Sequence, residues 1–143
     1  MTSAIPRLKL AVLACMDARI SVSRLLGLRE GDAHVIRNAG GAVTEDAIRS
    51  LTVSQHLLGT REIVLIHHQD CGMRRFTDTD FTRRLESSTG VRPGWAAEAF
   101  TDPAQDVRQC IARLRASPFL RHTETVRGYV LDERTGTLDE VLG

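Results

Sequence analysis

Two short, unbroken apolar runs, Leu8 to Ala14 and Glu62 to Ile66, interrupt an otherwise mixed chain. Continuous rather than alternating hydrophobicity over so few residues predicts strands buried on both faces of a parallel sheet. Ala33 to Arg37 is shorter and ends in Asn38-Ala39-Gly40-Gly41, whereas Thr125 to Leu131 alternates more and precedes an Arg134-Thr135-Gly136 turn. These two fit flanking strands, and the sheet has room for an extra edge strand.

Helical periodicity falls between the strands. After Thr44 as N-cap, Glu45 and Asp46 occupy the first turn, where the helix dipole favours anions. Ile48, Leu51, Gln55 and Leu58 then form one row, apolar except for Gln55, that Gly59 ends. A second helix follows Asp102-Pro103, with Val107, Cys110, Ile111 and Leu114 on a buried face, and stops before Pro118. Cys110 therefore belongs to a core stripe. The stretch from Arg74 to Trp95 is polar and broken by Gly90, Pro93 and Gly94, with a helix expected only through Phe81 to Leu85.

Strands alternating with helices predict an α/β fold, a parallel sheet of about four strands flanked by helices, over residues 1–143 as a single domain. Ligands of such sheets collect beyond the carboxyl ends of the strands. Nineteen basic and eighteen acidic residues leave a formal net charge of +1, which supplies no electrostatic footprint for nucleic acid or an anionic membrane. The apolar run near the N-terminus is too short for a signal or membrane segment, so a cytoplasmic protein is expected. In a reducing compartment, clustered members of the three cysteines are better explained by metal binding or catalysis than by a disulfide.

Chemistry concentrates just after two strands. Cys15-Met16-Asp17-Ala18-Arg19 follows the first; if the chain stays extended there, Cys15, Asp17 and Arg19 point to one side. His67-His68-Gln69-Asp70-Cys71-Gly72 follows the third, and His68 and Cys71 have a spacing that lets two side chains of a tight turn converge on one ion. If these strands are neighbours, two thiolates and an imidazole meet in a set suited to zinc. Asp17 can occupy the fourth position or vacate it. An open position makes the site catalytic, because the metal lowers the pKa of bound water from ~16 toward ~7. A guanidinium paired with Asp17 would hold that carboxylate off the metal and leave it to accept the nucleophile's proton.

Cys-x-Asp-x-Arg after one strand, Arg37-Asn38-Ala39-Gly40 after the next and His-x-x-Cys-Gly after the third resemble, in order and type, the β-class carbonic anhydrases, above all their compact bacterial and archaeal members. The resemblance implies zinc on Cys15, His68 and Cys71, an Asp17–Arg19 catalytic dyad, and Asp17 as fourth ligand only in a closed, inactive form. It also implies the strand order 2-1-3-4, a homodimer or homotetramer, and reversible hydration of CO2 to bicarbonate and a proton. One departure stands out: where longer members place a pocket glutamine before the first cysteine motif, this chain has Ser3, Ala4, Ile5 and Pro6.

Two other readings share these residues. Hydrolysis of carbonyl sulfide or carbon disulfide would use the same site on a similar linear electrophile. A non-catalytic zinc protein or sensor would keep Asp17 as a permanent fourth ligand, a role for which Arg19 has no use. His67 is expected on the opposite face from His68, in packing or a hydrogen bond. His34, His56 and His122 are expected in surface or capping roles. Gly72 is a candidate substrate contact, since a backbone N–H without a side chain approaches an anion closely, and the resemblance implies that the loop of Asn38 and Gly40 also lines the pocket, although each glycine also fits a plain turn.

Overall fold

In the computed structural model, which describes residues 3–143, five strands form one sheet in the order β2-β1-β3-β4-β5. The strands are β1 (Leu10–Cys15), β2 (Ala33–Asn38), β3 (Glu62–His68), β4 (Val126–Asp132) and β5 (Thr137–Val141). The first four are mutually parallel and β5 returns antiparallel along the edge, pairing Leu131 with Leu138. The helices are α1 (Val22–Leu26), α2 (Glu45–Leu58), α3 (Asp78–Thr89) and α4 (Pro103–Ala116).

Every residue of β1 is buried, as a strand covered on both faces requires. Alternate residues feed two cores. Ala11 and Leu13 join Leu51 of α2 and Val107, Ile111 and Leu114 of α4 on one face. Val12 and Ala14 join Ile20, Val22, Ile66, Met73 and Leu131 on the other. Leu13, Leu51, Leu65 and Leu114 are fully buried, each worth about 1.5–3 kcal/mol of transfer free energy.

The two expected long helices form between the anticipated signals. Thr44 accepts from the Ala47 N–H at 3.1 Å, and Gly59 closes α2 in the left-handed region. Asp102 caps α4 with Pro103 in its first turn. Gln55, the polar exception on the α2 row, is buried because it replaces missing backbone partners. Its carbonyl accepts from the N–H groups of Arg121 and His122, and its amide donates to the His122 carbonyl at 2.7 Å.

Two expectations need correction, and one helix is additional to those expected. The first strand begins at Leu10 rather than Leu8, because Lys9 takes φ 54° and turns the chain, leaving Leu8 exposed. The helix expected over Phe81 to Leu85 runs from Asp78 to Thr89, set by the Thr77 cap and Gly90 rather than by a buried face. The short α1 had not been anticipated; Ser21 and Gly27 bracket it in the same way.

Candidate metal centre

The parallel register places the carboxyl ends of β1, β2 and β3 side by side, with Cys15 opposite Asn38 and Ala14 opposite Ile66. Cys15 ends β1, His68 ends β3, and Cys71 sits in the turn that follows. The chain does not stay extended after Cys15. Arg19 N–H donates to Asp17 Oδ1 at 2.8 Å and Ile20 N–H to the Asp17 carbonyl at 3.1 Å, so a turn capped by the aspartate brings the dyad together.

Cys15 Sγ lies 4.0 Å from Cys71 Sγ and 3.3 Å from His68 Nε2, and all three residues are buried. A tetrahedral zinc with bonds of ~2.3 Å to sulfur and ~2.0 Å to nitrogen separates two sulfurs by about 3.8 Å and sulfur from nitrogen by about 3.5 Å. The donor set therefore fits that ion in type and spacing. Asp17 Oδ2 stands 3.9 Å from His68 Nε2. Both its oxygens are taken by Arg19, through Nε to Oδ1 at 3.0 Å and Nη2 to Oδ2 at 2.8 Å.

Arg19 also reaches across to the segment between His68 and Cys71, donating to the Asp70 carboxylate at 2.9 Å and to the Asp70 carbonyl at 2.8 Å. Hydrogen bonds from the Arg19 side chain, opposed by partial burial, hold Asp17 well below the usual carboxylate range. The bond from the Cys71 thiol makes Cys15 the more acidic cysteine, against burial and with help from His68 and the backbone N–H groups of Asp17 and Gly40. Cys71 is pushed up by the same contact and by burial. Burial lowers the basicity of His68, but its bonds to Cys15 and Glu133 outweigh that and raise it.

A small cavity of about 190 Å³ opens beside Cys15 and Cys71, walled by Met16, Asp17, Ala39, Gly40, Gly72 and Met73. Ala39 and Met73 also wall a larger apolar cavity of about 430 Å³ that extends to Phe76, Phe81 and Trp95. Both candidate glycines thus border the cavity, and a Cβ on Gly72 would meet open space. Asn38 makes its own turn, exchanging two hydrogen bonds with Ala42, and also lines the larger cavity. Gly41, at φ +64°, sits where a Cβ would lie 3.1 Å from Cys15 N and 3.2 Å from the carbonyl oxygen of Ile66.

His67 points away from Cys15 and Cys71, stacking on Phe100 and binding Asp106 of α4 at 2.8 Å. Cys110, near that pair, is buried and its thiol is pushed up to about 12, chiefly by burial, so it remains a core thiol. His34 bonds Ser54 and the Ala4 carbonyl, and His56 bonds the Phe119 carbonyl. Ile5 packs toward Gly59, so the Ser3–Pro6 segment lies at the amino ends of the strands, away from the ligands.

Two further residues support the centre from outside it. Arg37 donates to the Cys15 carbonyl at 2.9 and 3.0 Å and to the Asp17 carbonyl at 2.7 Å, fixing the turn that runs from Cys15 to Arg19. Glu133 accepts from His68 Nδ1–H at 2.9 Å across 65 residues of chain. Only the strand order could have disclosed it, since β4 runs beside β3 and delivers the residues after Leu131 to His68.

A family model described as carbonic anhydrase matches residues 10–109. The chain is 54% identical to beta-carbonic anhydrase 1 of Mycobacterium tuberculosis over 136 residues, covering 95% of this chain and 83% of that protein. It is 36% identical to a carbon disulfide hydrolase of Acidithiobacillus thiooxidans, covering 91% of this chain and 75% of that one. The crystal structure of carbonic anhydrase from Streptococcus mutans superposes with a TM-score of 0.90 at 43% identity, covering 96% of this chain and 84% of that one.

Proposed function

Because the chain belongs to the β-carbonic anhydrase family, we propose that it catalyses the reversible hydration of CO2 to bicarbonate and a proton at the Cys15–His68–Cys71 centre. The observation that carries this reading is the spacing of the three donors at the edges of a zinc tetrahedron, with Asp17 beside them but engaged by Arg19. Zinc bound there supplies a Lewis acid that brings the pKa of a water molecule from ~16 toward ~7, making a nucleophile available at neutral pH.

The remaining work falls to the chain's own groups. Arg19 keeps Asp17 ionised and holds it back, so that a carboxylate oxygen accepts the nucleophile's proton and turns its lone pair toward the cavity. The apolar wall made by Met73, Phe76, Phe81 and Trp95 admits an uncharged linear molecule without competing hydrogen bonds. Gly72 and Gly40 leave backbone at the cavity wall where the bicarbonate oxygens form. The proton passes to buffer.

Residues 1–143 are taken as one such zinc domain, cytoplasmic because two unbridged thiols 4.0 Å apart serve as ligands only while reduced. Among the described residues, no helix is long and apolar enough to cross a membrane. A homodimer or homotetramer is proposed in addition, supported by the exposed Val35 on edge strand β2 and Trp95 at the cavity rim, and tested by light scattering.

Stopped-flow CO2 hydration on zinc-loaded protein tests the activity. A rate rising with pH through a pKa near or above ~7 is expected. Full zinc loading without hydration at any pH overturns it and favours a non-catalytic zinc protein. The likeness to a carbon disulfide hydrolase favours a second substrate class at the same site, CS2 or carbonyl sulfide, each hydrolysed to CO2 and hydrogen sulfide. Sulfide release measured on the same preparation separates the two.

A further inference from the structure

Glu133 lies beyond every motif in the sequence, yet it touches three parts of the centre. The parallel pairing of β3 with β4 sets His68 opposite Leu131, and the Gln69 N–H extends that ladder to the Leu131 carbonyl at 2.9 Å. The β4–β5 turn is then fixed from inside. The Asp132 carbonyl accepts from Gly136 at 2.8 Å, and its carboxylate accepts from the Arg134 N–H at 3.0 Å. Glu133 is thereby held pointing back at the ligands, with its side chain only 16% exposed.

One carboxylate oxygen accepts from His68 Nδ1–H at 2.9 Å and from the Asp70 N–H at 3.0 Å, and the other lies 3.2 Å from the same Asp70 nitrogen. Arg19 Nη2 is 3.6 Å away. A carboxylate can only accept, so the single proton of a neutral His68, the form that can ligate a metal, sits on Nδ1, and the Nε2 lone pair then faces the two sulfurs. The Asp70 bond fixes the turn that carries Cys71. The approach to Arg19 places the same anion behind the dyad.

We propose that Glu133 is the positioning residue of the metal centre: it sets the His68 tautomer and ring orientation and ties the Cys71 turn and Arg19 to that ligand. The inference rests on reading Cys15, His68 and Cys71 as the zinc ligands. Glu133 touches neither substrate nor reacting atoms and acts through His68. A hairpin clamp with no influence on the ligand would alter thermal stability alone. A positioning carboxylate alters metal affinity, by 10–100-fold for groups of this kind.

The test is the zinc dissociation constant, measured by competition with a chromogenic chelator on wild type, Glu133→Ala and Glu133→Gln, with circular dichroism to establish folding. Affinity should fall about 10- to 100-fold in the alanine variant and recover in part in the glutamine variant, whose carbonyl can still accept from Nδ1–H. Wild-type affinity in a folded Glu133→Ala protein overturns the role. Should that variant fail to fold, the wild type decides alone. In its zinc-loaded form the ¹⁵N spectrum should show a His68 Nδ1–H protected from exchange, and an unprotected or absent Nδ1–H overturns the proposal. A wild-type chain that takes up no zinc overturns both the metal reading and this inference, whereas unchanged affinity in the variant removes only the latter.

Discussion

Replacing Gly41 by alanine should damage both stability and the metal centre, and the size of the effect follows from two separable costs. The residue has φ +64°, and a non-glycine residue in the left-handed region costs about 1–2 kcal/mol. The added Cβ would also lie 3.1 Å from Cys15 N, 3.2 Å from Ala14 C and 3.2 Å from the carbonyl oxygen of Ile66. All three are backbone atoms at the ends of β1 and β3, so no side-chain rotation relieves them, and overpacking of this kind costs about 1–3 kcal/mol. The total is about 2–5 kcal/mol. Gly27 provides the control, with φ +65° and no atom within 4 Å of its would-be Cβ. Gly27→Ala should carry the backbone cost alone, about 1–2 kcal/mol. Urea unfolding of the metal-free proteins, read by linear extrapolation, measures both. The displaced strand ends hold Cys15 and precede His68, so zinc affinity should fall in Gly41→Ala and not in Gly27→Ala. Equal destabilisation by the two substitutions, or wild-type zinc affinity in Gly41→Ala, would refute the reasoning.

Three further outcomes are expected. Arg19→Ala should retain one zinc per chain while CO2 hydration falls by about 10- to 100-fold or more, because Asp17 is no longer held away from the fourth position; full activity in the zinc-loaded variant would contradict the division of roles. Asp32, whose pKa is lowered by the Arg29 N–H and by Arg7 against the effect of burial, contributes stability that is present above the unfolded carboxylate value of ~3.9 and lost as pH falls through the folded value. The difference in melting temperature between wild type and Asp32→Asn should therefore be largest near neutral pH and shrink below pH ~4, and a constant difference would rule this out. In zinc-stripped protein, mild oxidation should join Cys15 to Cys71 from their 4.0 Å separation. Cys110, buried and pushed up to about 12, should be alkylated only after denaturation, as mass spectrometry can establish.

The strands and long helices were legible because their signals are local. The apolar run at the heart of β1 and the stripe from Val107 to Leu114 each state their own environment. Helix α3 escaped in part because no residue of it is buried. Its ends were written only in cap chemistry, Thr77 and Gly90, and the brevity of α1 concealed the same kind of brackets. At the centre, residue types and spacing pointed to Cys15, His68 and Cys71, which the fold brings together, but the approach of Arg19 to Asp17 comes from an aspartate-capped turn and not from strand alternation. Glu133 and Arg37 act through contacts 65 and 22 residues apart in sequence, which become visible only once the neighbouring strands are in register.

The Arg37 guanidinium has a bearing on which ions the centre admits. The carbonyls of Cys15 and Asp17 emerge at a sheet edge where oxygen atoms would ordinarily be offered to water or to a hard cation, and Arg37 engages both at 2.7–3.0 Å. Magnesium and calcium need six or more oxygen donors, whereas two sulfurs and one imidazole nitrogen face inward. With the Cys15 and Asp17 carbonyls both engaged by Arg37, those two backbone oxygens are occupied, and the donors that Cys15, His68 and Cys71 bring together are sulfur and nitrogen, the set that softer, thiophilic metals prefer.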